Sequence, residues 1–267
     1  MYLNVQEICG CSVLCRDGVA GKVQDVILSR STWRARYAVV NLGVESGNTR
    51  LIMPLTTAET VDAWRRRLCT SMTCRQLEFA LPHDSGAPLT RRREQFFCAR
   101  YGWPADWLGA NGAPPVPALA LDSAKPIPPC EQELELMLSD ECETQSASRM
   151  IAAFSASTSD GHNISIETII INPQDWQVPC MAVRLASAAK SVVLPTRTVA
   201  AIDWLTKHIY LDEEADTIAH APRWRNRLDA RTALMQQLDA CFKNSPIGRN
   251  FFPASKGLAP VSGAGNK

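Results

Sequence analysis

Shifting the sequence by 143 positions lays residues 17–42 on residues 160–185 without a gap. Asp17-Gly18 meets Asp160-Gly161, Ile27 meets Ile170, Trp33 meets Trp176, Val40 meets Val183 and Leu42 meets Leu185. Between these identities apolar positions agree in type: Val23 with Ile166, Val26 with Ile169, Leu28 with Ile171, Ala35 with Val178. The offset then falls to 141, because residues 43–50 form a connection two residues longer than residues 186–191, and Leu51-Ile52-Met53-Pro54 falls on Val192-Val193-Leu194-Pro195. A length change confined to a polar connection is where a folded repeat tolerates one. The chain therefore reads as one small module built twice.

Each copy breaks into short runs rich in Val, Ile and aromatics, separated by turn residues, which is the pattern of strands. In the first copy strands are predicted over 12–16, 22–29, 34–42, 51–54 and 67–71, followed by a helical turn over 73–79 that recurs over 214–219. Asp17-Gly18 is predicted to make the first hairpin turn, with Gly18 at positive φ. Several short strands in so few residues are best stabilised by closing into a small barrel, which removes exposed edges. Each copy is expected to close separately, with Trp33 and Trp176 in equivalent surroundings.

These residues resemble the PRC-barrel family, named for the H subunit of the photosynthetic reaction centre. The resemblance lies in Asp17-Gly18, in Gly21-Lys22-Val23-Gln24-Asp25, in the apolar strand ending at Val39-Val40, and in the strand closed by Pro54. The second copy, with Asp160, Gly161, Trp176 and Pro195, resembles the partner barrel of tandem members. It carries Ile164 and Thr168 where the first has Gly21 and Asp25. The segment Leu89-Thr90-Arg91 with Glu94, Tyr101-Gly102-Trp103-Pro104 and Trp107 is similar to the junction after the first barrel. The resemblance implies a mainly β chain of two small barrels in tandem, joined by a partly helical, Pro-rich linker and followed by a C-terminal helix. The expected divisions are a first barrel over 1–82, a junction and linker over 83–147, a second, divergent barrel over 148–222, a basic amphipathic helix over 223–244 and a tail over 245–267. Gly21 is expected to relieve a bulge and Asp25 to hydrogen-bond a turn.

Family members range from a docking domain on a reaction centre to a ribosome-binding domain, so the resemblance implies a fold more than a task. The leading expectation is a non-enzymatic protein-interaction or assembly module. The alternatives are a peripheral component of a membrane electron-transfer complex and an RNA- or ribosome-associated factor. Lys and Arg number 28 against 27 Asp and Glu, a net charge of +1 that gives no global attraction to nucleic acid or anionic lipid. Such a partner would need a local patch. Two stretches offer one for partner binding: Arg91, Arg92 and Arg93 beside Trp103 and Trp107, and Arg223, Arg225 and Arg227 ahead of Leu228, Met235, Leu238 and Phe242. The aromatics of the first are expected to pack on a barrel. Residues 113–129 hold six prolines and residues 131–143 six acidic side chains, a composition of spacer and solvated helix.

No catalytic, metal or cofactor site is expected, and no small-molecule substrate is evident. Ser187-Ala-Ala-Lys190 falls in a loop instead of on a helix, and Gly18-Val-Ala-Gly21-Lys22 is too short for a phosphate loop. The four histidines, His83, His162, His208 and His220, stand far apart, and His83 and His220 are expected at equivalent surface positions. Among ten cysteines none forms C-x-x-C; Cys9, Cys11 and Cys15 are expected along one face of a strand, as small buried hydrophobes, with a thiol site for metal binding or redox sensing as the weakest alternative. With no apolar stretch of membrane-spanning length and no export signal, a cytoplasmic location is expected, with peripheral contact to the inner membrane as a variant.

Overall fold

The computed structural model describes residues 2–43, 47–78, 80, 83, 89–90, 94, 144–185, 190–224 and 231–242. The described chain is mainly β and forms two curled, open, seven-stranded sheets. In the first copy β1 (Leu3–Asn4) and α1 (Val5–Ile8) precede β2 (Ser12–Cys15), β3 (Gly18–Ser29), β4 (Ala35–Asn41), β5 (Arg50–Pro54), β6 (Ala58–Asp62), β7 (Arg67–Thr70) and α2 (Cys74–Glu78). In the second, β8 (Thr144–Ser146) and α3 (Ala147–Ala153) precede β9 (Ser155–Ser157), β10 (Asn163–Ile171), β11 (Cys180–Leu185), β12 (Ser191–Pro195), β13 (Val199–Asp203), β14 (His208–Leu211), α4 (Ala215–Ala219) and α5 (Arg231–Cys241). The element order is the same twice, as the sequence repeat requires. Strand β6, absent from the predicted set, carries Glu59 and Thr60 exposed and lacks the continuous apolar run of its neighbours.

The strand orders are β5-β4-β3-β2-β7-β6 and β12-β11-β10-β9-β14-β13, with the β2–β7 and β9–β14 pairs parallel and the other ladders antiparallel. The seventh strand of each sheet comes from the other copy. β1 pairs with β10 through Leu3↔Ile171 and Asn4↔Ile170, while β8 pairs with β3 through Ile27↔Ser146 and Leu28↔Gln145. The exchange is reciprocal, since Ile27 and Ile170 are equivalent in the repeat. It covers backbone on β3 and β10 beyond the ends of the short strands β2 and β9, which would otherwise form an exposed edge.

Each exchanged strand runs directly into a capped helix. Asn4 accepts from the Glu7 amide at 2.7 Å while the Glu7 carboxylate accepts from the Asn4 amide at 2.9 Å, a complete capping box, and Ser146 accepts from the Arg149 amide at 3.1 Å.

A second junction lies at the tryptophans. Arg34 and Gln177, themselves equivalent, form an antiparallel bridge. On either side the Ala35 amide donates to the Trp176 carbonyl and the Val178 amide to the Trp33 carbonyl, both at 2.8 Å. Trp33 and Trp176 occupy positive φ, 51° and 60°, and both are buried. A left-handed conformation costs a bulky residue about 1–2 kcal/mol; here it turns each copy back so that its next amide reaches the other. The equivalence expected of the two tryptophans is thus observed in burial, backbone conformation and the bonds that their carbonyls accept.

The expectation of two separately closed cores gives way. One continuous apolar cluster runs through both halves, from Leu3, Val26 and Met53 to Ile169, Val183 and Leu194. The physical reason is the exchange itself: β1 and β8 each pair with the other copy, and the helices that follow them, α1 and α3, pack on β3 and β10 alike. Duplication survives, because equivalent residues fill equivalent places in a pseudo-symmetric body.

A smaller cluster of Ile27, Tyr37, Val39, Ile52 and Leu89 seals the outer face of the first sheet. Their counterparts in the second copy, Ile170, Cys180, Ala182 and Val193, are also buried, and α5 packs against β12 with Leu234, Leu238 and Phe242 buried.

Candidate functional site

The residues that carry the repeat signature turn out to be junction pieces. Asp17 Oδ1 accepts from the Cys74 amide at 2.7 Å, and Asp160 Oδ1 from the Ala215 amide at 3.2 Å, so each carboxylate ties the β2–β3 or β9–β10 turn to the helix that ends its copy. These bonds favour the ionised form. The Cys74 amide holds Asp17 below the usual carboxylate range, and Asp160 is lowered first by the Thr158 hydroxyl and then by the Ala215 amide. Gly161 has the positive φ expected of the pair, 85°, but Gly18 does not: it already belongs to β3, and the tight turn is made by Arg16-Asp17.

Gly21 does lie beside a register shift between Val13 and Leu14, yet its necessity has another source. A Cβ there would sit 2.2 Å from the Asn41 carbonyl oxygen, so only glycine lets β4 approach this closely. Asp25 bonds no turn of its own copy. Its Oδ1 accepts from the Ser148 amide at 3.1 Å and the Ser148 hydroxyl at 2.7 Å, and its Oδ2 from the Ser146 hydroxyl, which holds the N-terminus of α3. At the matching place Thr168 donates to Gln6, whose amide nitrogen donates to the Glu167 carbonyl at 3.2 Å. Different chemistry makes the same inter-copy clamp. Pro54 and Pro195 end β5 and β12, and their carbonyls accept from Thr57 Oγ1 at 2.7 Å and Thr198 Oγ1 at 2.8 Å.

Of the expected partner-binding residues, Arg91, Arg92, Arg93, Trp103, Trp107, Arg225 and Arg227 lie outside the described residues, as do the Pro-rich and acidic stretches. Three residues of the junction segment are described, and they pack inward: Leu89, Thr90 and Glu94 are buried, with Glu94 on Arg36 at 3.0 Å in an ion pair closed to solvent. Arg223 is exposed but not helical, since it bridges Val192; among the described residues the helix spans Arg231–Cys241. Leu234 and Leu238 of that helix, and Phe242 just after it, are buried in the chain's own core.

Among the described residues, the two most exposed large apolar side chains stand at equivalent hairpin tips. Trp64 is 74% exposed between β6 and β7, and Leu205 is 91% exposed between β13 and β14. Each tip is shaped by a carboxylate at the end of the preceding strand, Asp62 accepting from the Arg65 amide at 3.0 Å and Asp203 from the Leu205 amide at 2.9 Å. Each closes on a residue at positive φ, Arg66 or Lys207. Their neighbours are basic: Arg65, Arg66 and Arg67 at one tip, Lys207 at the other.

His208 bridges Ser155 Oγ (2.7 Å, Nδ1) and Ser157 Oγ (2.9 Å, Nε2) across the β9–β14 ladder. A serine hydroxyl therefore meets each ring nitrogen, and the described partners of the ring include no separate group that orients it. His83 corresponds to Trp224 instead of His220, since their amides donate to the equivalent carbonyls of Arg50 and Ser191 at 2.8 Å.

The cysteines are not aligned on one strand face. Cys9 caps the C-terminus of α1, the Cys11 thiol donates to the Glu7 carbonyl at 3.2 Å, and Cys15 ends β2. Burial pushes the Cys9 thiol up to about 12, which makes it unreactive. Cys15 instead meets Cys74 and Asp17, with their donor atoms within 4.8 Å of one another. Sequence reading missed this group because Cys74 lies 57 positions from Asp17 and 59 from Cys15, and only the docking of the β2–β3 turn on the start of α2 brings them together.

Neither the known family models nor the curated proteins match this chain. Among the described residues no helix is long and apolar enough to cross a membrane.

Proposed function

We propose that the chain is a non-enzymatic interaction or assembly module, a tandem pair of PRC-type barrels fused by strand exchange into one pseudo-symmetric body. The observation that carries this reading is the recurrence of an exposed apolar side chain at the same hairpin tip in both copies, Trp64 and Leu205. One exposed apolar residue is ordinary on a protein surface. Two at equivalent positions, each beside basic side chains, are what a protein partner with apolar sockets and an acidic rim would engage. Anchoring supports it too, because the hairpins rise from a body whose halves cannot separate without undoing three backbone junctions, β1–β10, β3–β8 and the bridge at Arg34 and Gln177.

The test is retention of partners from native extract by the full chain, compared with Trp64→Ser/Leu205→Ser. A protein retained stoichiometrically by the wild type and at least tenfold less by the double variant is expected. Retention abolished by nuclease, or binding only to anionic vesicles, would shift the assignment to the RNA-associated or membrane-peripheral reading. Turnover of a substrate by the pure chain with no partner retained would overturn the proposal.

A further inference from the structure

The second copy shows what the fold requires at the β2–β3 turn, and the first copy adds something to it. In both, the turn amide donates to the chain ahead of the closing helix at 3.0 Å, Arg16 to Met72 and Ser159 to Glu213, and an aspartate holds the first helical amide. Where the second copy has Thr158 and Ala215, however, the first has Cys15 and Cys74. The architecture forms without the thiols, so packing and capping do not account for them. Their sulfurs and the Asp17 carboxylate lie within 4.8 Å of one another.

We propose that Cys15, Cys74 and Asp17 bind one thiophilic divalent cation of the zinc class, with two thiolates and one carboxylate as ligands and a fourth position open to water. Zinc takes sulfur at about 2.3 Å and carboxylate oxygen at about 2.0–2.2 Å, which places two sulfurs of one tetrahedral site about 3.8 Å apart. Donor atoms already within 4.8 Å of one another reach that spacing by small side-chain rotations. Two thiols on β2 and α2 plus an acid on the intervening turn supply the borderline-soft donor set that zinc prefers over calcium or magnesium. The balance is simple: the cation replaces both thiol protons, which leave to solvent, and no redox change occurs. In the metal-free protein burial and the neighbouring Cys74 push the Cys15 thiol up to about 12, so binding competes with protons.

Bound metal would pin the β2–β3 turn to α2 in the first copy alone. The pseudo-symmetric body would thereby acquire one metal-responsive end.

The test uses the reduced full-length chain titrated with cobalt(II), whose thiolate charge-transfer absorption reports sulfur ligation directly. One equivalent should saturate the band, zinc should displace cobalt, and affinity should rise by up to about 100-fold per pH unit while two protons are released. Cys15→Thr and Cys74→Ala install the side chains that the second copy carries in the same setting, so these variants are expected to fold, with unchanged circular dichroism. Each should lose the band, Cys241→Ser should keep it, and Asp17→Asn, which retains an acceptor for the Cys74 amide, should bind at least tenfold more weakly. No band at one equivalent, a band that survives Cys15→Thr/Cys74→Ala, or full affinity in Asp17→Asn would overturn the site.

Discussion

At the scale of single residues, the buried Arg36–Glu94 pair is the most exposed to failure, because a charge without its partner inside a protein is far costlier than the pair is favourable. Glu94→Gln is expected to lower stability by about 3–5 kcal/mol, whereas Arg36→Met/Glu94→Leu should recover most of the loss; urea midpoints of the two variants decide it. Position 179, equivalent to Arg36, is a proline, so the pair is an elaboration of one copy and could not be read from the repeat. The aspartates behave in the opposite way, since both copies keep them. Asp17 and Asp160 have folded values depressed below the unfolded carboxylate at about 3.9. Their hydrogen bonds therefore stabilise the turns above that range, and the stabilisation is lost as pH falls through the lower folded values. Amide shifts of Cys74 and Ala215 should titrate with midpoints below about 3.9, and Asp17→Asn should flatten the Cys74 curve while leaving Ala215 unchanged. Midpoints at or above the ordinary carboxylate value would refute the capping account.

Among the elements, α3 illustrates how a helix can belong to one copy by sequence and pack on both, against β10 of its own copy and β3 of the other. Its N-terminal groups are met by Ser146 and by Asp25, which reaches from β3 across the junction. Asp25→Ala is expected to cost about 1–2 kcal/mol, in the range of a lost helix cap, and Asp25→Asn less, because an acceptor oxygen remains; equal losses for both would mean that the clamp is held by charge alone. Most strands were legible from alternation and apolar runs, within a residue or two of their ends for β2, β4 and β5. The exchange was not legible. Leu3-Asn4 and Thr144–Ser146 are too short to show any periodicity, and nothing local distinguishes pairing with one's own copy from pairing with the other. Arg223 falls outside a helix for a related reason: the arginines continue a charged pattern, while tertiary pairing with Val192 keeps Arg223 extended.

Over the whole molecule, the strand exchange, the bridge at Arg34 and Gln177 and the common core make the two copies a single folding unit, although the sequence reads as two. Independent modules on a linker would melt in two steps. Here β1 and β8 complete each other's sheets, so neither half retains its full hydrogen bonding once the other unfolds. Calorimetry of the full chain should accordingly show one transition whose calorimetric and van't Hoff enthalpies agree. The tryptophans supply the sharper check. Trp33→Ala and Trp176→Ala should each cost about 3–5 kcal/mol by the loss of a buried ring. Because each carbonyl accepts an amide from the other copy across the same bridge, removing the second ring acts on a junction already loosened by the first. The double variant should then lose less than the two single losses combined, with a coupling of about 0.5–3 kcal/mol. Strict additivity, or a scan resolved into two transitions, would mean that the halves merely touch, and the rigid presentation of Trp64 and Leu205 would lose its physical basis.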